Sequence, residues 1–256
     1  MNKKINILFI GNVGSSAWNF KKGLSCYKDI NRIDLLFEKH PCNSGIPSKK
    51  LLSPNSYDVV VYSYPFIKTY FKYFKYLVNA KVIWYWRGTD VRGKDFSNPL
   101  VNFLYKKIHS IFFKYVTMHT GHHIYSTPDL GWWFRNCTQP NSYLPTLIDT
   151  DVFFAYNNYS RPIKKFVFSS GSRGYKRTKV KHDNMPKFLN KIKFAEVNPA
   201  FNIHPLIMSN LCAECLACGV KVKHHEDKNR EWVINNRSIP VCSKKLHIII
   251  KEITHK

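Results

Sequence analysis

Ser209 to Val222, SNLCAECLACGVKV, is the segment whose residue types and spacing could do chemistry. It opens like a helix start, and Gly219 closes it before a short Val-Lys-Val strand. The first turn, Ser209, Asn210, Leu211 and Cys212, offers backbone N–H groups with no partner inside the helix, which suit a phosphate. Glu214 stands alone as a carboxylate among apolar neighbours one turn further in, where it can hold a sugar hydroxyl.

The same segment spells C-x2-C-x2-C with Cys212, Cys215 and Cys218, the opening of an iron–sulfur pattern. The fourth cysteine is missing between Gly219 and Lys223. The three thiols also fall at i, i+3 and i+6 of a helix, mixed with Ala213, Leu216 and Ala217, as small packing residues do. Asp149-Thr150-Asp151 has the Asp-x-Asp spacing of a metal site, yet it sits where a turn between domains is expected. No metal and no cofactor are expected.

Two loops that follow strands supply further polar groups. Gly11-Asn12-Val13-Gly14, with Ser15 next, either cradles an anion or is a tight turn, and it lacks the spacing of a dinucleotide fingerprint or a P-loop. At the carboxyl edge of a parallel sheet such a loop lines a ligand crevice. Arg87-Gly88-Thr89-Asp90-Val91-Arg92-Gly93 puts Arg87 and Asp90 on the floor of the same crevice, or is a turn capped by Thr89 or Asp90. Arg173, Lys176, Arg177, Lys179 and Lys181 crowd a later loop, and a diphosphate or a nucleic acid would want such donors.

These loops need elements to hold them. Ile5–Ile10, Ile33–Glu38, Asp58–Tyr62 and Lys81–Trp86 read as strands, with His122–Ser126 and Tyr143–Leu144 as short ones. Between them Asn19–Tyr27 and Phe66–Asn79 read as helices, the second carrying Phe66, Tyr70, Phe74 and Leu77 at helical spacing. Pro99–Met118 is a long helix with Leu100, Phe103, Leu104 and Ile108 on one side. Strand–helix alternation with continuous apolar strands implies a parallel sheet covered on both faces. A polar stretch, 152–164, separates this first domain, 1–151, from a shorter second one, 165–256, which repeats the pattern and ends in a helix over Lys244–Thr254.

Composition bounds the partners. Lys and Arg number 40 against 16 acids, a formal charge of +24, which favours nucleic acid, an anionic membrane surface or phosphorylated ligands. Trp132-Trp133 and 15% aromatic content allow base stacking, but no recognisable nucleic-acid reader is present, so nucleic acid is the weakest of these expectations. Lys68, Lys72 and Lys75 line one face of the aromatic helix, as on an interfacial helix or an ordinary solvated one. Seven cysteines without a disulfide framework, and an apolar run of only about six residues near the start, fit a cytoplasmic setting. No run approaches the ~18 to 20 apolar residues of a membrane span.

Taken together, these residues resemble the GT-B glycosyltransferases of family 4. CAECLACGVKV looks like that family's Glu-Ala-Leu-Ala-Cys-Gly-x-x-Val signature, RGTDVRG like its His-Gly-Ser-Asp-x-Arg-Gly loop, and YLPTLIDTDVF like its interdomain Leu-Pro-Asn-x-Val-Asp-Thr-x-x-Phe. The resemblance implies two Rossmann-like domains facing across a cleft, the first for an acceptor and the second for a nucleotide-sugar. It implies metal-independent, usually retaining transfer; a glycan or lipid-linked acceptor is suggested by the basic aromatic helix, Phe66–Asn79. Glu214 matches the second Glu of the family's Glu-x7-Glu motif, expected on the donor ribose. Ser209 to Cys212 match the helix start beneath the diphosphate, and Arg173 and Lys176 its cations. Leu206 stands where the first Glu belongs, Arg87 where many members have His, and the second domain is short. A non-catalytic, glycosyltransferase-like binding protein is the alternative, and a basic nucleic-acid-binding protein the third.

Overall fold

The structure is a computed structural model that describes residues 4–12, 15–38, 45–63, 65, 67–87, 91, 97–156, 160–168, 184–197 and 209–255. Six parallel strands form the first sheet: β1 (Ile5–Ile10), β2 (Ile30–Leu36), β3 (Val59–Ser63), β4 (Lys81–Trp86), β5 (His122–Tyr125) and β6 (Asn141–Tyr143). Their order is β2-β1-β3-β4-β5-β6, so β1 lies inside the sheet, with Ile7 beside Ile33 on one side and Val59 on the other.

The continuous apolar strands are explained by what covers each face. Ile7 and Phe9 of β1, Val59 and Val61 of β3, and Ile83 and Tyr85 of β4 point to one core, shared with Ala17, Phe20 and Leu24 of α1 (Ser16–Leu24). The alternate residues Leu8, Ile10, Val60, Tyr62, Trp84 and Trp86 point to the other. There they meet α2 (Ile67–Leu77), α3 (Pro99–His119) and a 3-10 turn over Pro128–Phe134. Period-2 side chains buried on both faces are what a covered parallel sheet requires.

The side of α3 that its apolar spacing marks is not the side it buries. His109, Phe112 and Val116 face the sheet, while Leu100, Phe103, Leu104 and Ile108 are exposed. Aromatic stacking explains the choice: Phe112 meets Tyr70 at 5.3 Å and Phe113 meets Trp86 at 5.0 Å, both edge-on.

A second parallel sheet, β7 (Ile163–Phe168), β8 (Ile192–Val197) and β9 (Lys221–Val222), runs in the order β7-β8-β9 among the described residues. It packs with α4 (Met185–Leu189), α5 (Asn210–Ala217) and Val233 of α6 (Arg230–Arg237) into a separate core. The last helix, α7 (Ile239–Thr254), begins five residues before the Lys244 read from sequence and leaves that core. Its Cys242, Leu246, Ile249 and Ile250 join the first core against α1 instead. His247 Nε2 completes the return by meeting the Asp29 carboxylate at 2.9 Å and stacking on Tyr27.

Candidate functional site

Helix α5 has a defined start and stop. Ser209 caps it with an extended backbone, and its hydroxyl accepts from the Cys212 N–H at 3.2 Å. At the other end Val220 N–H donates to the Cys215 carbonyl and Gly219 N–H to that of Leu216, both at 2.9 Å, a Schellman closure. Gly219 takes the left-handed φ of 73° that this closure demands. The Cys212 N–H is therefore already occupied, and an anion at this end would meet the N–H groups of Asn210 and Leu211 without it.

Glu214 sits one turn into α5, only 8% exposed. Its Oε2 is buried with no hydrogen-bond partner among the described residues. Burial pushes the carboxyl up to about 8, and Arg237 pulls weakly the other way. Glu214 and Asn210 line a cavity of about 70 Å³ with Ser15, Asn19 and Lys22 from the start and body of α1 and Asp149 from the chain after β6. That is room for two or so water-sized groups at ~30 Å³ each, far below the ~300–1,000 Å³ of a whole small-molecule site. One hydroxyl of a larger ligand fits such a space, as Glu214 would require.

The first sheet's contribution begins at Gly11, directly after β1. Its φ is 83°, and a Cβ there would lie 2.6 Å from the Ser63 carbonyl oxygen of β3. Only glycine lets the chain turn that close to the neighbouring strand. Asn12 Oδ1 accepts from the Trp18 N–H at 3.1 Å and starts α1, which leaves Ser15 facing the cavity.

Asp149 is held by protein groups. Its Oδ2 accepts from Lys22 Nζ of α1 at 2.5 Å, and its Oδ1 from the Asp151 N–H at 3.3 Å. Asp149-Thr150-Asp151 is thus a turn tied to α1. No group of three or more metal-ligating side chains is assembled among the described residues. Cys212, Cys215 and Cys218 are buried free thiols of the second core.

Arg237, which carries no motif in the sequence, joins the pieces. It is buried at the end of α6, and its Nε donates to the Thr146 carbonyl in the chain after β6 at 3.0 Å. Its Nη2 donates to Asn210 Oδ1 at 3.1 Å, and its Nη1 to the Ser209 carbonyl at 3.4 Å. Burial lowers its pKa first of all, and nearby Arg87 adds to that. Arg87 lies at the carboxyl end of β4 with its guanidinium 5.1 Å from the Tyr85 ring centre. Gly11, Ser15, Arg87, Ser209, Asn210, Leu211, Cys212 and Glu214 are thus placed, with Glu214, Asn210 and Ser15 on one cavity. Gly14, Asp90, Arg173, Lys176 and Leu206 lie outside the described residues.

This arrangement is a parallel Rossmann-type α/β sheet followed by a second parallel unit and a returning terminal helix. A solved structure that shares it is a sucrose-phosphate synthase from Thermosynechococcus elongatus, with a TM-score of 0.66 at 9% identity, covering 98% of this chain and 100% of that one. No protein-family model and no curated protein sequence matches the chain. No helix among the described residues is long and apolar enough to cross a membrane.

Proposed function

We propose that this chain is a hexosyltransferase-type glycosyltransferase that moves a sugar from a nucleotide-diphosphate sugar to a glycan or lipid-linked acceptor, without metal and with retention. The supporting observation is Glu214, a buried carboxyl with a spare oxygen on a cavity shared by α5 and the loop after β1. Held up to about 8, it is protonated at neutral pH and can both donate to and accept from a donor hydroxyl.

In the transfer, the bond between the anomeric carbon and the diphosphate oxygen breaks and its electron pair leaves with the diphosphate. The acceptor oxygen bonds to that carbon on the face the diphosphate leaves and passes its proton to the departing diphosphate oxygen. Charge building on the diphosphate calls for fixed donors. Arg173, Lys176 and the N–H groups of Asn210 and Leu211 take that role, with Arg87 and Asp90 at the reacting end. Gly11, Gly14 and Ser15 border the acceptor.

Titration calorimetry with UDP-, GDP- and ADP-sugars tests the reading. One nucleotide series should bind, and Glu214→Ala, which removes the carboxyl, should weaken it at least about tenfold, the cost of one buried hydrogen bond, while Glu214→Gln, which keeps a donor and an acceptor there, should weaken it less. Failure of every nucleotide to bind would overturn the proposal. Leu206, at the place of the family's first Glu, favours a second reading: a glycosyltransferase-like protein that binds without turnover. Nucleotide binding with no released nucleoside diphosphate across an acceptor panel would establish that one.

A further inference from the structure

The outward face of α3 is apolar along its length. Leu100, Leu104, Ile108, Ile111 and Tyr115 follow at helical spacing, and each is at least half exposed, with Ile111 reaching 70%. At 1.5 Å per residue the stripe runs about 22 Å. Phe112 and Phe113, on either side of the buried face, meet Tyr70 of α2 and Trp133 of the 3-10 turn, so those elements flank the helix and leave its crest open. Phe71 and Phe74 of α2 and the Trp132-Trp133 pair add exposed aromatic surface on the two flanks. Single exposed apolar residues are ordinary, but a contiguous row on one helix marks a contact surface.

The charges around the stripe select its partner. Between residues 97 and 128 the chain carries Lys106, Lys107 and Lys114 and no carboxylate. Lys107 and Lys114, seven residues apart, border the same face, with Lys107 Nζ 4.5 Å from the Phe103 ring centre. Arg135 stacks on Trp132 at 4.3 Å. A second copy docking here would bring lysine against lysine in a chain of formal charge +24. Lysine is also depleted from the cores of protein interfaces. Nucleic acid would answer the lysines but not Leu104, Ile108 and Ile111. Apolar crest, aromatic flanks and lysine border together match a bilayer whose headgroups are anionic.

We infer that the crest of α3 seats this protein on an anionic lipid surface, with Leu104, Ile108 and Ile111 entering the acyl boundary and Lys107 and Lys114 at the headgroups. The inference does not depend on the transferase reading. It shifts the contact expected of Lys68, Lys72 and Lys75 to the neighbouring helix, since Lys72 is paired with Glu38 at 2.9 Å.

Flotation of the full chain with vesicles of phosphatidylcholine alone, or mixed equally with phosphatidylglycerol, tests it against a Leu104→Ser/Ile111→Ser variant that keeps the charge. The wild type should float with the anionic vesicles, remain partly bound at about 0.5 M salt where screening reaches about 4 Å, and bind phosphatidylcholine alone weakly. The double variant should lose at least about tenfold in binding and dissociate fully at that salt. Brominated acyl chains should quench tryptophan emission in the wild type and spare a Trp132→Phe/Trp133→Phe variant. The inference is overturned if the wild type does not float, or if the serine variant binds equally well, which would leave charge alone. Earlier melting of the serine variant would show the stripe packed in solution and overturn it too, as would a wild-type dimer that the variant returns to monomer.

Discussion

Arg237 and Asn210 join the end of one helix to the start of another: Nη2 donates to Oδ1 at 3.1 Å, while Nε holds the Thr146 carbonyl at 3.0 Å. One buried guanidinium thereby fixes α5 relative to the chain that leaves the first sheet. Arg237→Ala strands the carbonyls of Thr146 and Ser209 and the Asn210 amide oxygen together. It should cost about 3 kcal/mol, or roughly 6–12 °C in thermal midpoint for a chain of this size. Arg237→Lys keeps the charge but cannot span three acceptors in a fork, and should recover less than half. A midpoint within a degree of wild type for the alanine variant would contradict this account.

Glu214 makes stability depend on pH in a direction opposite to most carboxylates. Its folded value, about 8, lies above the 4.5 of an unperturbed group, so the folded chain holds the proton that the unfolded chain gives up. The contribution of the neutral carboxyl is fully present below about pH 4.5 and declines as pH rises toward 8, by a few kcal/mol over the window. Glu214→Gln should flatten that part of the profile. Thermal midpoints of both proteins between pH 5 and 9, read as a difference, should diverge in favour of the glutamine variant at the alkaline end. A constant difference would show that Glu214 is ionised throughout.

Gly11 should tolerate no side chain. Gly11→Ala forces a Cβ to within 2.6 Å of the Ser63 carbonyl oxygen and holds alanine at a φ of 83°. The combined cost should be about 2–3 kcal/mol. Urea titration should show the midpoint falling with an unchanged slope, because compactness is not altered. An alanine variant as stable as wild type would mean that the β1 turn relaxes freely.

The strands were legible because they are buried on both faces: β1, β3 and β4 read as unbroken apolar runs. Helix α6 was not, since Arg230-Glu231-Trp232-Val233-Ile234-Asn235-Asn236-Arg237 buries only Val233 and Arg237 and shows no apolar period. The period of α3 gave a helix, yet the buried side was decided by which aromatic rings could meet Trp86 and Tyr70 edge-on. Helix α7 returns to a partner 218 positions away, Asp29, a distance no local pattern encodes. At the candidate site, the helix start at Ser209 was readable from type and spacing. That the Ser209 hydroxyl would consume the Cys212 N–H was not, nor was Arg237, whose role exists only where α5, α6 and Thr146 converge.

The cysteines of α5 give the last prediction, since their spacing invites a metal while their side chains lie buried in the second core. Burial raises the Cys215 thiol well above its usual range and pushes Cys218 up to about 12, with Glu214 adding to both. Cys242 is held at about 11 in the first core. A thiol must ionise to bind metal or to react, so these four, Cys212 included, should resist alkylation. Iodoacetamide at pH 8 should modify exposed Cys26 within minutes, and peptide mass spectrometry should find Cys212, Cys215, Cys218 and Cys242 unlabelled until guanidinium is added. A chelator should leave the thermal midpoint unchanged. Prompt labelling of Cys215 in the folded chain, or a midpoint that falls on chelation, would show that α5 opens to solvent or holds a metal, and packing would no longer explain the motif.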